Sequence, residues 1–443
     1  MQRLPKTDIL GTLLHRWTIK EVTIMLLQRS ILRLLGSTLT AGALLVGACQ
    51  APAGPATTGG GAPAPASPTV KTIVPVQPGP PLNVEVKIGF VSSMTGPIND
   101  SSTANLRGFE LAIEDWNNAG GFGGRKVVPV VYDDEFQPQR AIELTQRLIN
   151  VDRVAGIVGY NFGGAALAAI DVAQAAGVPL IVTGSGVGEV TARYAKEPVN
   201  YMFGVRMLDR VQARVAFRFM RDKRNVPLNK IAILGDTSGY GQQSTIDGTN
   251  ALADLGARPC AIETIQPGET DATPQLQRIQ AAGCEALILY TFAPETTAIL
   301  NSARKINSPI KFFGNWGWSQ PALYKLAGEE LLRGIPFVQS FTVDMSPEAR
   351  ALNERLLERY KESLFPLNSA QGYDGTMLLL RAIAKAQSTD GKKIVEALES
   401  TSGYKGVTRI NQAPFSKTDH EGLDDDAMYF MGEWKGGVIV TAQ

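Results

Sequence analysis

Two glycine-rich stretches carry most of the chemistry this chain has to offer: residues 159–164 (GYNFGG) and 183–188 (TGSGVG). Glycine lets backbone approach a ligand closely, and consecutive free N–H groups make a concave cradle for an anion or a polar carbonyl. Asn161 and Ser185 lie within the two stretches and add side-chain donors. Catalytic chemistry is poorly supplied. Beyond the N-terminal leader the one histidine is His420, in a polar tail segment that reads as solvated, and a Ser–His–Asp site would have to be built on it. Gly184-Ser185-Gly186 lacks nucleophile-elbow spacing, because Thr183 holds the first glycine's place. Gly184, Gly186 and Gly188 give part of a dinucleotide fingerprint, with Glu189 where the last glycine is needed. No Gly-Lys-Ser/Thr follows a glycine loop, so no phosphate-binding P-loop is expected. Asp133-Asp134-Glu135 and the acids at 424–426 lack metal-ligand spacing and read as solvated turns. The expectation is a binding protein with no cofactor, no metal and no catalytic residue.

The elements around these loops form a βαβ unit. Residues 154–158 are an apolar, β-branched run of the kind buried in a parallel sheet. Residues 165–176 read as a helix of small residues, ended by Gly177 and Pro179, and 179–182 return as a strand. Both glycine loops then sit at carboxyl ends of strands, where open α/β sheets bind ligands and a helix N-terminus offers free N–H groups. Strands at 84–92 and 127–132 with helices at 102–119 and 138–150 precede this unit. The alternation restarts after an extended 201–205. Helices are expected at 209–224, 245–255, 274–282 and 294–306, and strands at 230–234, 260–265, 286–290 and 311–313. Long helices at 347–363 and 372–387, a shorter one at 392–400, and short strands with turns over 407–440 complete the chain.

The N-terminus reads as a targeting segment. Arg29 and Arg33 precede an apolar stretch, 34–46, too short to span a bilayer, which ends in Val46-Gly47-Ala48-Cys49. The pattern resembles a bacterial lipobox, in which Cys49 becomes the lipidated first residue; the alternative is a buried cysteine after an apolar helix. Residues 1–48 are then a signal peptide, with Met25 a second candidate start, and 50–81 are an Ala/Pro/Gly/Thr/Ser tether. Export and lipid anchoring at the outer face of a membrane follow. A net charge of +1 gives no reason to expect nucleic acid. The remaining cysteines, Cys260 and Cys284, are an even pair in an oxidising compartment. Strands separated by a third lie about 9–10 Å apart. That exceeds disulfide reach without loop movement, so geometry argues against a bridge and the pairing stays open.

Several stretches together resemble the type I periplasmic binding proteins of the branched-chain amino acid family, which feed ABC importers: IGFVSSMTGP at 88–97, DDEFQPQRAIELTQRLI at 133–149, GVPLI at 177–181 and QGYDGTMLLLRAI at 371–383. The resemblance implies an α/β fold of two doubly wound parallel-sheet lobes joined by three hinge crossings, near Val205, 336–341 and 406–414. The lobes would be 84–204 plus 342–406, and 205–336 plus 414–443, with a lipidated tether over 49–83. It also implies a monomer that captures a small solute by hinge closure and delivers it to permease subunits. In amino-acid-binding relatives a serine, a threonine and backbone amides hold the carboxylate, and an acid on the opposite lobe holds the ammonium. The serine position falls on Gly163, the threonine position on Gly186 and the acid position on Trp316, while an aromatic of the first loop is replaced by Ser101. Aromatic positions are kept as Tyr240 and Phe292.

An ammonium without a counter-charge fits such a cleft poorly. Backbone N–H groups of Gly163, Gly164, Gly184 and Gly186, with Asn161 and Ser185, still suit an anion or carbonyl. Tyr160, Phe162, Tyr240, Phe292 and Trp316 suggest an aromatic-lined pocket, core packing being the alternative for each. A small apolar organic acid or amide is therefore favoured over leucine, unless a register shift brings Glu295 or Asp236 to the ammonium. The alternative function is a sensory ectodomain of the same fold, which would normally continue into a membrane segment beyond Gln443.

Overall fold

The computed structural model describes residues 72–442. The expected signal segment, Cys49 and the tether up to residue 71 lie outside the described residues. The first lobe runs β1 (Lys87–Ser92), α1 (Asn99–Asn118), β2 (Val128–Asp133), α2 (Pro138–Arg147), β3 (Gly156–Gly159), α3 (Gly163–Ala176), β4 (Leu180–Val182), α4 (Glu189–Ala192) and β5 (Met202–Gly204). Its five strands are all parallel, in the order β2-β1-β3-β4-β5. The order reverses at β1, so the loops after β1 and β3 diverge and leave a crevice there. Gly177, at φ 67°, stops α3 in the left-handed conformation that the Gly-Val-Pro sequence predicts.

The second lobe continues through α5 (Asp209–Arg224), β6 (Ile231–Asp236), α6 (Gly239–Asp254), β7 (Ile262–Ile265), α7 (Thr273–Ala281), β8 (Ala286–Tyr290), α8 (Ala293–Lys305) and β9 (Lys311–Gly314). A 3₁₀ turn, Trp316–Ser319, leads to α9 (Pro321–Leu332) and β10 (Phe337–Gln339), neither of which the sequence pattern had separated from loop. The chain then returns to the first lobe with α10 (Pro347–Tyr360), α11 (Pro366–Ala386) and α12 (Gly391–Glu399). It closes with β11 (Phe430–Lys435) and β12 (Val438–Thr441) in the second sheet, ordered β12-β11-β10-β9-β8-β6-β7. β11 and β12 are antiparallel, so this sheet is parallel except for a hairpin at one edge.

α11 is buried along most of its length and meets α1 backbone to backbone. A Cβ at Gly108 would stand 1.9 Å from the Ser369 carbonyl oxygen, and one at Gly372 would stand 2.2 Å from that of Asn105. The glycine of the QGYDG stretch is thus there for close helix packing. Asp374, two residues after Gly372, is fully buried and accepts from the Val407 and Thr408 N–H groups and from the Tyr404 hydroxyl.

Three expectations need correction. Residues 72–82 are not free tether: Ile73, Val74 and Leu82 are buried, Ile73 N–H donates to Asp115 Oδ2 at 2.9 Å, and Gly79 bonds Gly121 and Gly123. Four aliphatic side chains among the prolines supply enough apolar surface to dock this segment. The third crossing falls later than 406–414. Gly204 is bracketed by the His420 carbonyl and the Gly422 N–H, so 414–422 belongs with the first lobe, and the chain crosses over 423–429. His420 is buried rather than solvated, stacked on Phe203 with Nδ1 2.8 Å from the Met202 carbonyl oxygen. The other two crossings occupy 205–208 and 340–346, between the last element of one lobe and the first of the next.

Cys260 and Cys284 form a disulfide, with Cα atoms 5.8 Å apart. Their strands are indeed separated by β6, but both cysteines precede their strands. Cys260 N–H bonds the Ile231 carbonyl and Glu285 N–H that of Lys230, so the two loops converge over the start of β6. Reduction, or the paired Cys→Ser change, should lower unfolding free energy by about 3 kcal/mol through the loop it opens. Denaturant midpoints with and without reductant measure this, and coincident curves would contradict it.

Candidate functional site

At the carboxyl ends of the two sheets the lobes meet around a small, partly open cavity of about 30 Å³. From the first lobe Ser101, Asn161, Phe162, Gly163, Ser185 and Gly186 line it; from the second, Tyr240, Phe292 and Trp316. Gly184 does not reach the wall: the Asn161 amide lies over it, 2.3 Å from where a Cβ would be. Tyr160 is also absent from the wall, being buried below with its hydroxyl 2.5 Å from Thr145 Oγ1. A larger groove of about 750 Å³ lies beside α4 and α6; it takes in Gly188, Glu189 and His420 but none of the residues expected to hold the solute.

α3 starts at Gly163 rather than 165 and α6 at Gly239 rather than 245, because glycine reads as loop wherever it occurs. The consequence is chemical. Gly163, Gly164 and Ala165 are first-turn residues whose N–H groups have no intrahelical acceptor. Gly186 N–H has no acceptor among the described residues either, whereas Ser185 N–H is held by the Tyr160 carbonyl at 3.1 Å. Glycine is required at these places. A Cβ on Gly163 would meet Val187 at 2.8 Å, and one on Gly186 would meet Asp209 Oδ1 at 2.3 Å.

Residues of the wall also carry side-chain donors without acceptors among the described residues. Asn161 is fixed through its backbone N–H, 3.2 Å from Ser92 Oγ, and its Nδ2 has no partner. Trp316 and Trp318, both buried and both on the wall, have indole N–H groups without acceptors. Among the described residues no carboxylate or cation lines the cavity. Asp236 is turned to the Ser238 N–H and Glu295 to the Gly268 N–H, so neither alternative acid faces a solute. Sequence reasoning missed Thr291 and Thr296, whose hydroxyls bond each other at 2.7 Å on the wall. Their only signal is their place at a strand end and a helix start. Ser101 spends its hydroxyl proton on the Ile98 carbonyl at 2.9 Å.

Aromatic rings close the remaining sides. Phe136 stacks on Phe162 at 4.0 Å and meets Phe292 of the other lobe edge-on at 5.7 Å, and Tyr240 lies 5.3 Å from Phe292. Tyr240 Oη accepts from Asn315 Nδ2 at 2.5 Å. Phe136 was not anticipated. It and Glu135 both have positive φ, an uncommon state for two successive non-glycine residues. The turn is held by Asp133, which accepts from the Met94 and Glu135 N–H groups, and by Asp134, which accepts from Phe136 N–H and Ser93 Oγ. These acids are therefore not a solvated turn. Nor is the second acidic run, where Asp426 pairs with Arg214 and Arg218. Among the described residues no cluster of His, Cys, Asp or Glu suits a metal ion.

Burial pushes the Asp134 carboxyl up from 3.8 to about 6, against the lowering pull of Ser93 and Phe136. Between those values the folded chain holds a proton that the unfolded chain has released. Stability from this group therefore grows as pH falls from above 6 to below 4, by about 3 kcal/mol. Asp134→Asn should remove that slope, and unfolding curves at pH 7.5 and 4.5 measure it. An unchanged slope in the variant would place the titration elsewhere.

The sequence model of the family described as periplasmic binding protein matches residues 85–437. The Leu/Ile/Val-binding protein homolog 7 of Brucella abortus (strain 2308) is 25% identical over 373 residues, 82% of this chain and 92% of that protein. The leucine-, isoleucine-, valine-, threonine-, and alanine-binding protein of Pseudomonas aeruginosa is 26% identical over 320 residues, 71% of this chain and 82% of its own length. Among solved structures, a periplasmic binding protein type 1 from Bordetella pertussis superposes with a TM-score of 0.72 at 25% identity, covering 81% of this chain and 99% of that one. The Streptococcus pneumoniae LivJ protein, solved in complex with isoleucine, shares the fold at a TM-score of 0.69 and 23% identity, over 81% of this chain and 99% of that one.

Proposed function

The chain belongs to the type I periplasmic binding protein family, as a solute-binding protein and not an enzyme, and on that premise we propose that it captures a small apolar organic acid or amide. The observation that carries this reading is the polarity of the cavity: unpartnered donors on both lobes and no carboxylate on its wall. A carboxylate or amide oxygen satisfies the Gly163, Gly164 and Gly186 N–H groups and Asn161, the apolar body rests among Phe162, Phe292 and Tyr240, and the indole N–H groups take a further acceptor. An α-ammonium at the Trp316 position meets no carboxylate on the wall. Taking it out of water unpaired costs on the order of several kcal/mol.

The three crossings support capture by rotation of one lobe against the other, with release to permease subunits of an ABC importer outside the cytoplasm. The Val46-Gly47-Ala48-Cys49 sequence supports a lipid anchor on Cys49, with the protein acting as a monomer at the outer face of the membrane.

Titration calorimetry tests the solute class. Leucine should bind more weakly than millimolar, and 4-methylpentanoate or its amide should bind at least tenfold more tightly than leucine. Trp316→Glu, which supplies a counter-charge, should move preference back toward leucine. Micromolar leucine binding by the unmodified protein would overturn the proposal.

A further inference from the structure

Beyond their own internal hydrogen bonds, the solute-facing loops of both lobes are fastened to the first hinge crossing and the helix turn that follows it. Arg206 lies in that crossing and is completely buried. Its Nη1 donates to the Ser185 carbonyl at 2.9 Å and to the Val187 carbonyl at 2.8 Å. The Gly186 carbonyl between them is taken by the Asp209 N–H, also at 2.9 Å. Three consecutive carbonyls of the second glycine loop are thus bound by residues 206–209, leaving Gly186 N–H as an unclaimed polar group at the cavity. Nη2 of Arg206 pairs with Glu421 and reaches Thr191 Oγ1 at 3.3 Å. Glu421 is pinned in turn, because its neighbours His420 and Gly422 bracket Gly204.

The same segment reaches the other lobe. Gln212, fully buried in the first turn of α5, accepts the Trp316 N–H at 2.9 Å through Oε1. Its Nε2 donates back to the Met207 carbonyl at 3.0 Å and to Asp209 Oδ1 at 3.1 Å. Arg206, Asp209 and Gln212 are three residues apart in sequence, and none of them lines the cavity.

We propose that Arg206 and Gln212 are positioning residues, through which residues 205–212 hold the Ser185–Gly186 loop of the first lobe and the Trp316 loop of the second in register. Hinge rotation and the geometry of both solute-facing walls are thereby a single mechanical event. This rests on the cavity being the solute site. Arg206→Lys keeps a cation beside Glu421 but cannot span two carbonyls and a carboxylate in the planar fork that guanidinium provides. Gln212→Met keeps the volume and removes the acceptor for Trp316.

The test uses the full chain without solute, followed by hydrogen exchange. In Arg206→Lys, peptides covering 183–191 should exchange at least tenfold faster, while those covering β3 and β6 stay protected. In Gln212→Met the same gain should appear at 315–320, and indole fluorescence should shift. Titration with 4-methylpentanoate should then show at least tenfold weaker binding in either variant, with the melting temperature lowered by only a few degrees. Glu421→Gln, which leaves Arg206 its carbonyls, should retain most of the loop protection. Unchanged exchange at both loops would overturn the proposal, as would an equal loss of protection across both sheets, which marks a merely structural role. If 4-methylpentanoate binds neither the unmodified protein nor the variants, the solute class is wrong, and the exchange result alone decides the positioning role.

Discussion

Buried N–H groups without acceptors set the terms on which this cleft can close. Each such donor costs about 1–3 kcal/mol once water is excluded, and the closed cavity gathers at least four of them, from Gly186, Asn161, Trp316 and Trp318. In the proposed capture, closing the lobes without a solute leaves these donors unpaired, and closing them around a solute with acceptor atoms does not. A ligand shifts a conformational equilibrium only by its differential affinity for the two states, and this set of donors is where that difference arises. The aromatic rings of Phe136, Phe162 and Phe292 add contact between the lobes without adding an acceptor.

Much of this was legible in the chain. The βαβ unit from β3 to β4 follows from a β-branched run, a small-residue helix and the Gly177-Val-Pro stop, because burial on both faces of a parallel sheet leaves few other residue choices. The resemblance puts Trp316 where amino-acid-binding relatives carry an acid, and the structure adds that its indole N–H has no acceptor among the described residues. What could not be read is which glycine is loop and which is the first turn of a helix. Gly163 and Gly239 turned out helical because a first-turn residue needs no acceptor for its N–H, and propensity says nothing about that.

Long-range contacts account for the other differences. Residues 72–82 dock because Asp115 and Tyr373, 42 and 299 positions away, meet Ile73 and Val74. Arg206 looks like an ordinary charged residue until Glu421, 215 positions on, closes its ion pair. The cysteine bridge forms because both cysteines stand in loops ahead of their strands, where the spacing of the sheet no longer applies. Asp134 reads as one of three exposed acids, and only the fold shows that it keeps Phe136 turned toward the cleft.

The central claim is that the cleft accepts acceptor-bearing solutes and rejects a cation. The most direct measurement is the identity of the small molecule that leaves the exporting cell bound to the protein. Native mass spectrometry of the protein as purified, followed by release and fragmentation of the bound species, gives that identity. The account predicts a small acid or amide that does not react with amine-labelling reagents. A free α-amino acid released in stoichiometric amount would contradict it.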